Sequence, residues 1–128
     1  MKQEIYSETV LIVDDEETAD LYLTEIMTDH FDNLLHAANG KEAVDICRNN
    51  NDINVILMDI KMPVMDGFTA TRMIREFNKD VIIIAQTAYA MVSDRNEALK
   101  AGCNDYISKP IIEEKLLSLI NSHISRKK

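Results

Sequence analysis

Asn54-Val55-Ile56-Leu57-Met58-Asp59, followed by Ile60-Lys61-Met62-Pro63-Val64-Met65-Asp66-Gly67, sets the architecture of this 128-residue chain. A short apolar run, partly β-branched and closed by turn residues, reads as a strand buried in a parallel sheet. Its last residue, Asp59, is then carried out at the C-terminal edge of the sheet, where open α/β sheets bind ligands. A second run, Val10-Leu11-Ile12-Val13, ends in the same way on Asp14-Asp15. Two strands can therefore deliver acid to one crevice, and such a cluster needs a cation.

Further strand-like runs stand at Asn33 to Ala37, Val81 to Ala85 and Tyr106 to Ile107, with helical patterns between them. That alternation predicts a parallel sheet joined by right-handed crossovers. The first helix carries Ala19, Tyr22, Leu23, Ile26 and Met27 at helical spacing, and the last carries Ile112, Leu116, Leu119, Ile120 and Ile124. Between Met91 and Gly102 the apolar residues are only Met91, Val92, Ala98, Leu99 and Ala101, so this helix is expected to be the least anchored and a moving part. No internal repeat, low-complexity stretch or linker interrupts the pattern, and one domain is expected.

Composition narrows the function classes. With 46% hydrophobic residues the chain can bury a core without disulfide or metal staples. A net charge of −8 argues against binding a phosphate backbone, and the basic tail Arg126-Lys127-Lys128 reads as a terminus, not a nucleic-acid arm. No stretch approaches the roughly 18 apolar residues of a membrane span, and the polar start Met1-Lys2-Gln3-Glu4 is unlike a signal peptide. A cytoplasmic protein that contacts neither nucleic acid nor membrane is expected. Cys47 and Cys103 lie far apart with no Cys-x-x-Cys spacing and read as buried free thiols. His30, His36 and His123 show no metal-ligand spacing and read as surface or strand-end residues.

Strand by strand, the C-terminal edge collects Asp14 and Asp15, then Asp59, then Thr87, then Lys109. Two carboxylates about 4 Å apart repel by roughly 4 kcal/mol at an effective dielectric near 20, so three acids partly protonate or recruit a cation. Mg2+ suits them, being a hard ion that takes one or two carboxylates with phosphate oxygens. Lys109 then offers a point charge, and Thr87 a hydrogen-bond donor, to a phosphoryl group beside the metal. Each piece has a plainer reading. The acidic pair favours a helix N-terminus through its dipole, and Asp66-Gly67 is turn chemistry, with glycine supplying a positive φ or a helix entry. Lys109 alone is a snorkelling lysine, and Thr87 alone a β-branched strand residue.

Four motifs in order give a resemblance spanning about Thr9 to Ile124. They are Val13-Asp14-Asp15; Met58-Asp59 with Met62-Pro63 and Asp66-Gly67; Gln86-Thr87-Ala88; and Tyr106-Ile107-Ser108-Lys109-Pro110. Together they resemble the receiver domain of two-component response regulators. The wording around Met58 to Gly67 and Gly102 to Ile111 is most similar to receivers fused to hybrid sensor histidine kinases.

The resemblance implies a flavodoxin-like five-stranded parallel sheet of order 2-1-3-4-5, an arrangement for which a chemotaxis receiver is a standard example. One domain, 9–124, would lie between tails 1–8 and 125–128. Asp59 would be the phosphoacceptor, with Mg2+ held by Asp15, Asp59 and the main-chain carbonyl of Lys61, and by Asp14 through water. Thr87 and Lys109 would bind phosphoryl oxygens, and Tyr106 would turn inward as Thr87 moves. Lys61 and Tyr89 would flank the path of the hydrolytic water, and the peptide before Pro110 would be cis. The implied donor is a sensor histidine kinase or a histidine phosphotransfer protein, and the output a downstream protein partner. Transfer and loss of the phosphoryl group would be self-catalysed in a domain that is not a conventional enzyme; were it part of a hybrid protein, the parent would be a histidine kinase. Two rivals stand beside this reading. One is a Mg2+-dependent phosphohydrolase of the haloacid dehalogenase type, disfavoured because Lys61 stands where those enzymes carry a second acid. The other is a phosphorylation-independent interaction module, disfavoured by the intact acidic pocket. With only Gly40, Gly67 and Gly102, the chain has neither a dinucleotide fingerprint nor a P-loop.

Overall fold

The computed structural model describes residues 6–88 and 92–127, with the side chains of 8–88 and 95–124. Strands and helices alternate: β1 Tyr6–Val13, α1 Glu17–Thr28, β2 Phe31–Ala37, α2 Gly40–Asn49, β3 Ile53–Asp59, α3 Gly67–Arg75, β4 Ile82–Thr87, α4 Val92–Ala101, β5 Asp105–Ser108 and α5 Glu113–Lys127. Every neighbouring pair is parallel and the order is β2-β1-β3-β4-β5, the flavodoxin-like sheet expected. Tyr6 already pairs with Phe31, and α5 continues to Lys127.

Strand periodicity divides the core in two. Leu11, Val13, Ile56, Met58, Ile83 and Ala85 face α2, α3 and α4 with Val44, Ala70, Ile74 and Ala98. Val10, Ile12, Val55, Leu57, Ile82 and Ile84 face α1 and α5 with Leu23, Ile26, Met27, Leu116, Ile120 and Ile124. Helices covering both faces explain why these strands read as continuous apolar runs. Each fully buried aliphatic side chain contributes about 2 kcal/mol. On that scale α4 is weakly held: of its described side chains only Ala98 and Ala101 are buried, and Leu99 is 46% exposed. Met91, the expected start of this helix, lies outside the described residues.

Some sequence expectations are corrected. Ile112 is 59% exposed, since α5 begins one residue later and its helical phase does not govern Ile112. Tyr22 is 46% exposed, although its hydroxyl donates to the Ile111 carbonyl at 2.7 Å. His30, just before β2, and His123 on α5 are mostly buried; His123 Nε2 is hydrogen-bonded to Asp105 at 3.2 Å, whereas His30 Nε2 lies 3.5 Å from Glu113 without a hydrogen bond among the described residues. A carboxylate partner is what makes burying an imidazole tolerable. Cys47 and Cys103 are buried free thiols as expected, and burial pushes the Cys47 thiol up to about 11.

The β3–α3 loop contains a strained residue that the motif did not announce. Val64 has φ +70° and is 78% exposed. A β-branched residue in the left-handed region costs about 1–2 kcal/mol, whereas Asn tolerates it. Val64→Asn is therefore expected to raise stability by about 1 kcal/mol in urea unfolding. A loss of stability would show that the Val64 side chain makes a compensating contact.

Candidate functional site

Sheet register assembles the site. Val13 pairs with Met58, and Asp59 with Gln86, so Asp14, Asp59 and Gln86 follow one another across the C-terminal edge. Ile12, Leu57 and Ile84, two residues before each, face α1 and α5, and strand alternation turns the three polar side chains the same way. Thr87, one residue on, turns to the opposite face, which carries α4 and Tyr106. Lys109 follows β5, with its backbone N–H donating to the Thr87 carbonyl at 2.8 Å and a cis peptide to Pro110, as the resemblance implied. Asp14, Asp15, Asp59, Lys61, Thr87 and Lys109 line one cleft of about 430 Å³.

Within the cleft, charge is crowded and poorly solvated. Asp59 is 7% exposed and Asp14 4% exposed. The Lys109 Nζ lies 3.5 Å from Asp59 Oδ1 and 3.7 Å from Asp14 Oδ2. Burial, reinforced by the neighbouring Asp14 charge and opposed by Lys109, pushes the Asp59 carboxyl up to about 6. Burial also raises Asp14, against the backbone hydrogen bond from Glu16 and the Lys109 charge. The Asp14 Oδ1 accepts the Glu16 N–H at 2.9 Å, whereas Oδ2 is buried and makes no hydrogen bond among the described residues. An oxygen from each of Asp14, Asp15 and Asp59 lies within 4.8 Å of the others. Three carboxylates against one ammonium, with a buried oxygen left over, form a hard-oxygen donor set that fits Mg2+. Neither Asp14 nor Asp15 is the N-cap of α1, which is Glu16.

Close backbone packing holds the β3–α3 loop. A Cβ on Gly67 would stand 2.2 Å from the Asp59 carbonyl oxygen, while the Gly67 N–H donates to the Ile60 carbonyl at 2.8 Å. Asp66 caps α3 by accepting the Thr69 N–H at 2.8 Å. Helix entry and close approach, not a positive φ, are therefore what Gly67 provides; the positive φ in this loop belongs to Val64.

Lys61 is exposed at the cleft rim. Tyr106 is half-buried against the core facing α4, with the Arg95 guanidinium 5.7 Å from its ring centre. Tyr89 lies outside the described residues. Gln86 enters the sequence pattern only as part of the Gln86-Thr87-Ala88 motif, yet it is 1% exposed beside Asp59. The signal that could have singled it out is period two: Ile82, Ile84 and Gln86 share one core-facing register, so an amide there is out of place.

Known proteins resemble this chain in sequence and fold. The sequence pattern of the response regulator receiver domain matches residues 10–121. The chain is 37% identical over 112 residues to the chemotaxis protein CheY of Halobacterium salinarum, covering 88% of this chain and 92% of that one. It is 33% identical to hybrid signal transduction histidine kinase I of Dictyostelium discoideum over 91% of this chain, which spans 7% of that much longer relative. Among solved structures, it resembles the complex of the Saccharomyces cerevisiae histidine phosphotransfer protein Ypd1 with the receiver domain of Ssk1. The TM-score is 0.82 at 34% identity, over 88% of this chain and 85% of that one.

Proposed function

The chain belongs to the response regulator receiver domain family, and from that membership we propose that Asp59 accepts a phosphoryl group from a phosphohistidine. The observation that carries this reading is the placement of Asp59. It is a buried carboxylate at a strand end, beside Asp14 and Asp15 on one side and 3.5 Å from the Lys109 ammonium on the other. With its carboxyl near 6, Asp59 is mostly ionised at neutral pH and available as the nucleophile. The O–P bond to Asp59 forms as the donor's P–N bond breaks, while Lys109 and Thr87 hold the phosphoryl oxygens. Mg2+ would be held by Asp15, Asp59 and the Lys61 carbonyl, with Asp14 acting through water, and would neutralise charge on the transferring group. Positioning and electrostatics suffice for such a transfer, so the domain catalyses its own phosphorylation and hydrolysis.

The donor proposed is a sensor histidine kinase or a histidine phosphotransfer protein, supported by the likeness to the Ssk1 receiver solved with Ypd1. Likeness to a small part of a hybrid kinase supports the same class of pathway. The output proposed is a change in the face formed by α4 and Tyr106, recognised by a partner protein, because α4 is weakly held and Arg95 ties it to Tyr106. None of the described helices is long and apolar enough to cross a membrane.

Acetyl phosphate tests the function. With Mg2+, intact mass is expected to rise by one phosphoryl group, and amide exchange to change in α4 and β5 more than in α1. With chelator no mass is gained. Labelling that ignores Mg2+ would sink the assignment.

The lifetime of the phosphoryl group follows from Lys61 and Tyr89. The family resemblance assigns Lys61 and Tyr89, the latter outside the described residues, to the path of the attacking water, and a long lysine and a phenol there are expected to slow hydrolysis, which suits onward relay. The Lys61→Asn, Tyr89→Glu double variant should lose the group faster than the parent at equal Mg2+. Equal lifetimes would mean that neither side chain gates the water.

A further inference from the structure

Gln86 is a polar side chain without a purpose in the scheme above. It is 1% exposed, and neither Nε2 nor Oε1 has a hydrogen-bond partner among the described residues. Leaving an amide unsatisfied in a core is costly, and an apolar residue of the same length would remove the cost. A buried group that opposes folding in this way is commonly held for function.

Position says which function. Gln86 is the register partner of Asp59 on the adjacent parallel strand, and both side chains turn to the same face of the sheet. It therefore continues the row begun by Asp14 and Asp59 as the neutral third member, and it lines the same cleft. On its other side lies a separate, mostly apolar cavity of about 200 Å³ lined also by Ala19, Tyr22, Leu23, Lys109 and Ile111, where the Tyr22 hydroxyl is already engaged with the Ile111 carbonyl at 2.7 Å and Lys109 is shared with the acid cleft. The acid side is where the charged groups that hold an anion converge. There the incoming group is anionic and brings three acceptor oxygens, for which a carboxamide N–H is a suitable donor.

We propose that Gln86 is a further binding residue for the phosphoryl group, its carboxamide donating a hydrogen bond to an oxygen of the group carried by Asp59. This rests on the reading of Asp59 as phosphoacceptor. Among the described residues the amide has no partner, and the phosphoryl group would supply one, so this interaction would favour the phosphorylated state.

Gln86→Met tests this, because methionine is unbranched, of similar length and apolar. The probes are Mg2+ alone, and beryllofluoride with Mg2+ as a stand-in for the phosphoryl group, both titrated by calorimetry alongside urea unfolding. Expected for Gln86→Met are a higher urea midpoint, Mg2+ affinity within about twofold of the parent, and beryllofluoride affinity about tenfold weaker, the loss of one charge-assisted hydrogen bond. Beryllofluoride binding equal to the parent overturns the inference. A parallel fall in Mg2+ affinity also overturns it, since the effect would then be displacement of the acid row. Should Gln86→Met fold poorly, Gln86→Leu carries the same comparison. A parent that binds no beryllofluoride would instead refute the phosphoacceptor reading, and this inference with it.

Discussion

Asp59→Asn is expected to lose all phosphoryl labelling and, at the same time, to make the metal-free protein more stable. Burial and the Asp14 charge raise the Asp59 carboxyl from 3.8 to about 6, so holding it ionised at neutral pH opposes folding by ~3 kcal/mol. Asparagine removes that charge, and Lys109 keeps Asp14 at 3.7 Å as a partner. A net gain of about 2 kcal/mol at pH 7 in chelator is expected after the lost Lys109 contact is allowed for. The sign of the pH dependence follows. The folded state binds the Asp59 proton more tightly than the unfolded state, so its contribution is full below pH 3.8 and is lost as pH rises through about 6. Metal-free parent should therefore lose stability across that window. Asp59→Asn should lose less, with a residual slope from Asp14, whose carboxyl burial also raises. Mg2+ should narrow the gap between the two proteins by neutralising the parent's acids. Urea unfolding from pH 4 to 8 in chelator reads all of this. Undiminished labelling of the variant would remove Asp59 as acceptor, and equal stabilities would remove the claim that its charge is strained.

Gly67→Ala is expected to destabilise the fold by about 3 kcal/mol, the upper part of what overpacking costs. Helix propensity alone has the opposite sign, since alanine in α3 should gain up to about 1 kcal/mol over glycine. The deciding fact is the close approach: a Cβ would lie 2.2 Å from the Asp59 carbonyl oxygen and 3.0 Å from the Ile60 Cα. Those are backbone atoms, with no flexible side chain to swing aside, so the chain end carrying Asp59 must move. Mg2+ affinity is expected to fall with stability, because the displaced segment bears Asp59 and leads into Lys61. Urea unfolding with Mg2+ titration measures both. A stabilised variant would show that propensity wins and that α3 does not press on the phosphoacceptor strand.

Much of this protein was legible in its amino-acid order. The runs ending on Asp14-Asp15 and Asp59, and the alternation with helical patterns, determined a parallel sheet with acids at one edge, because period and turn residues are local properties. The thinness of α4 was readable for the same reason: few apolar residues can bury little surface. Contacts between distant segments were decided only in three dimensions. His123 is buried with Asp105 brought to it from β5, and α5 takes its phase from Glu113, leaving Ile112 outside it. Gly67 is needed for a carbonyl eight residues earlier, a clash no turn rule encodes. Pairing register alone set Gln86 beside Asp59 with its amide unsatisfied. Short-range pattern determines which elements form and which face is apolar; which side chains meet across them depends on register and packing, and those are settled by the whole chain at once.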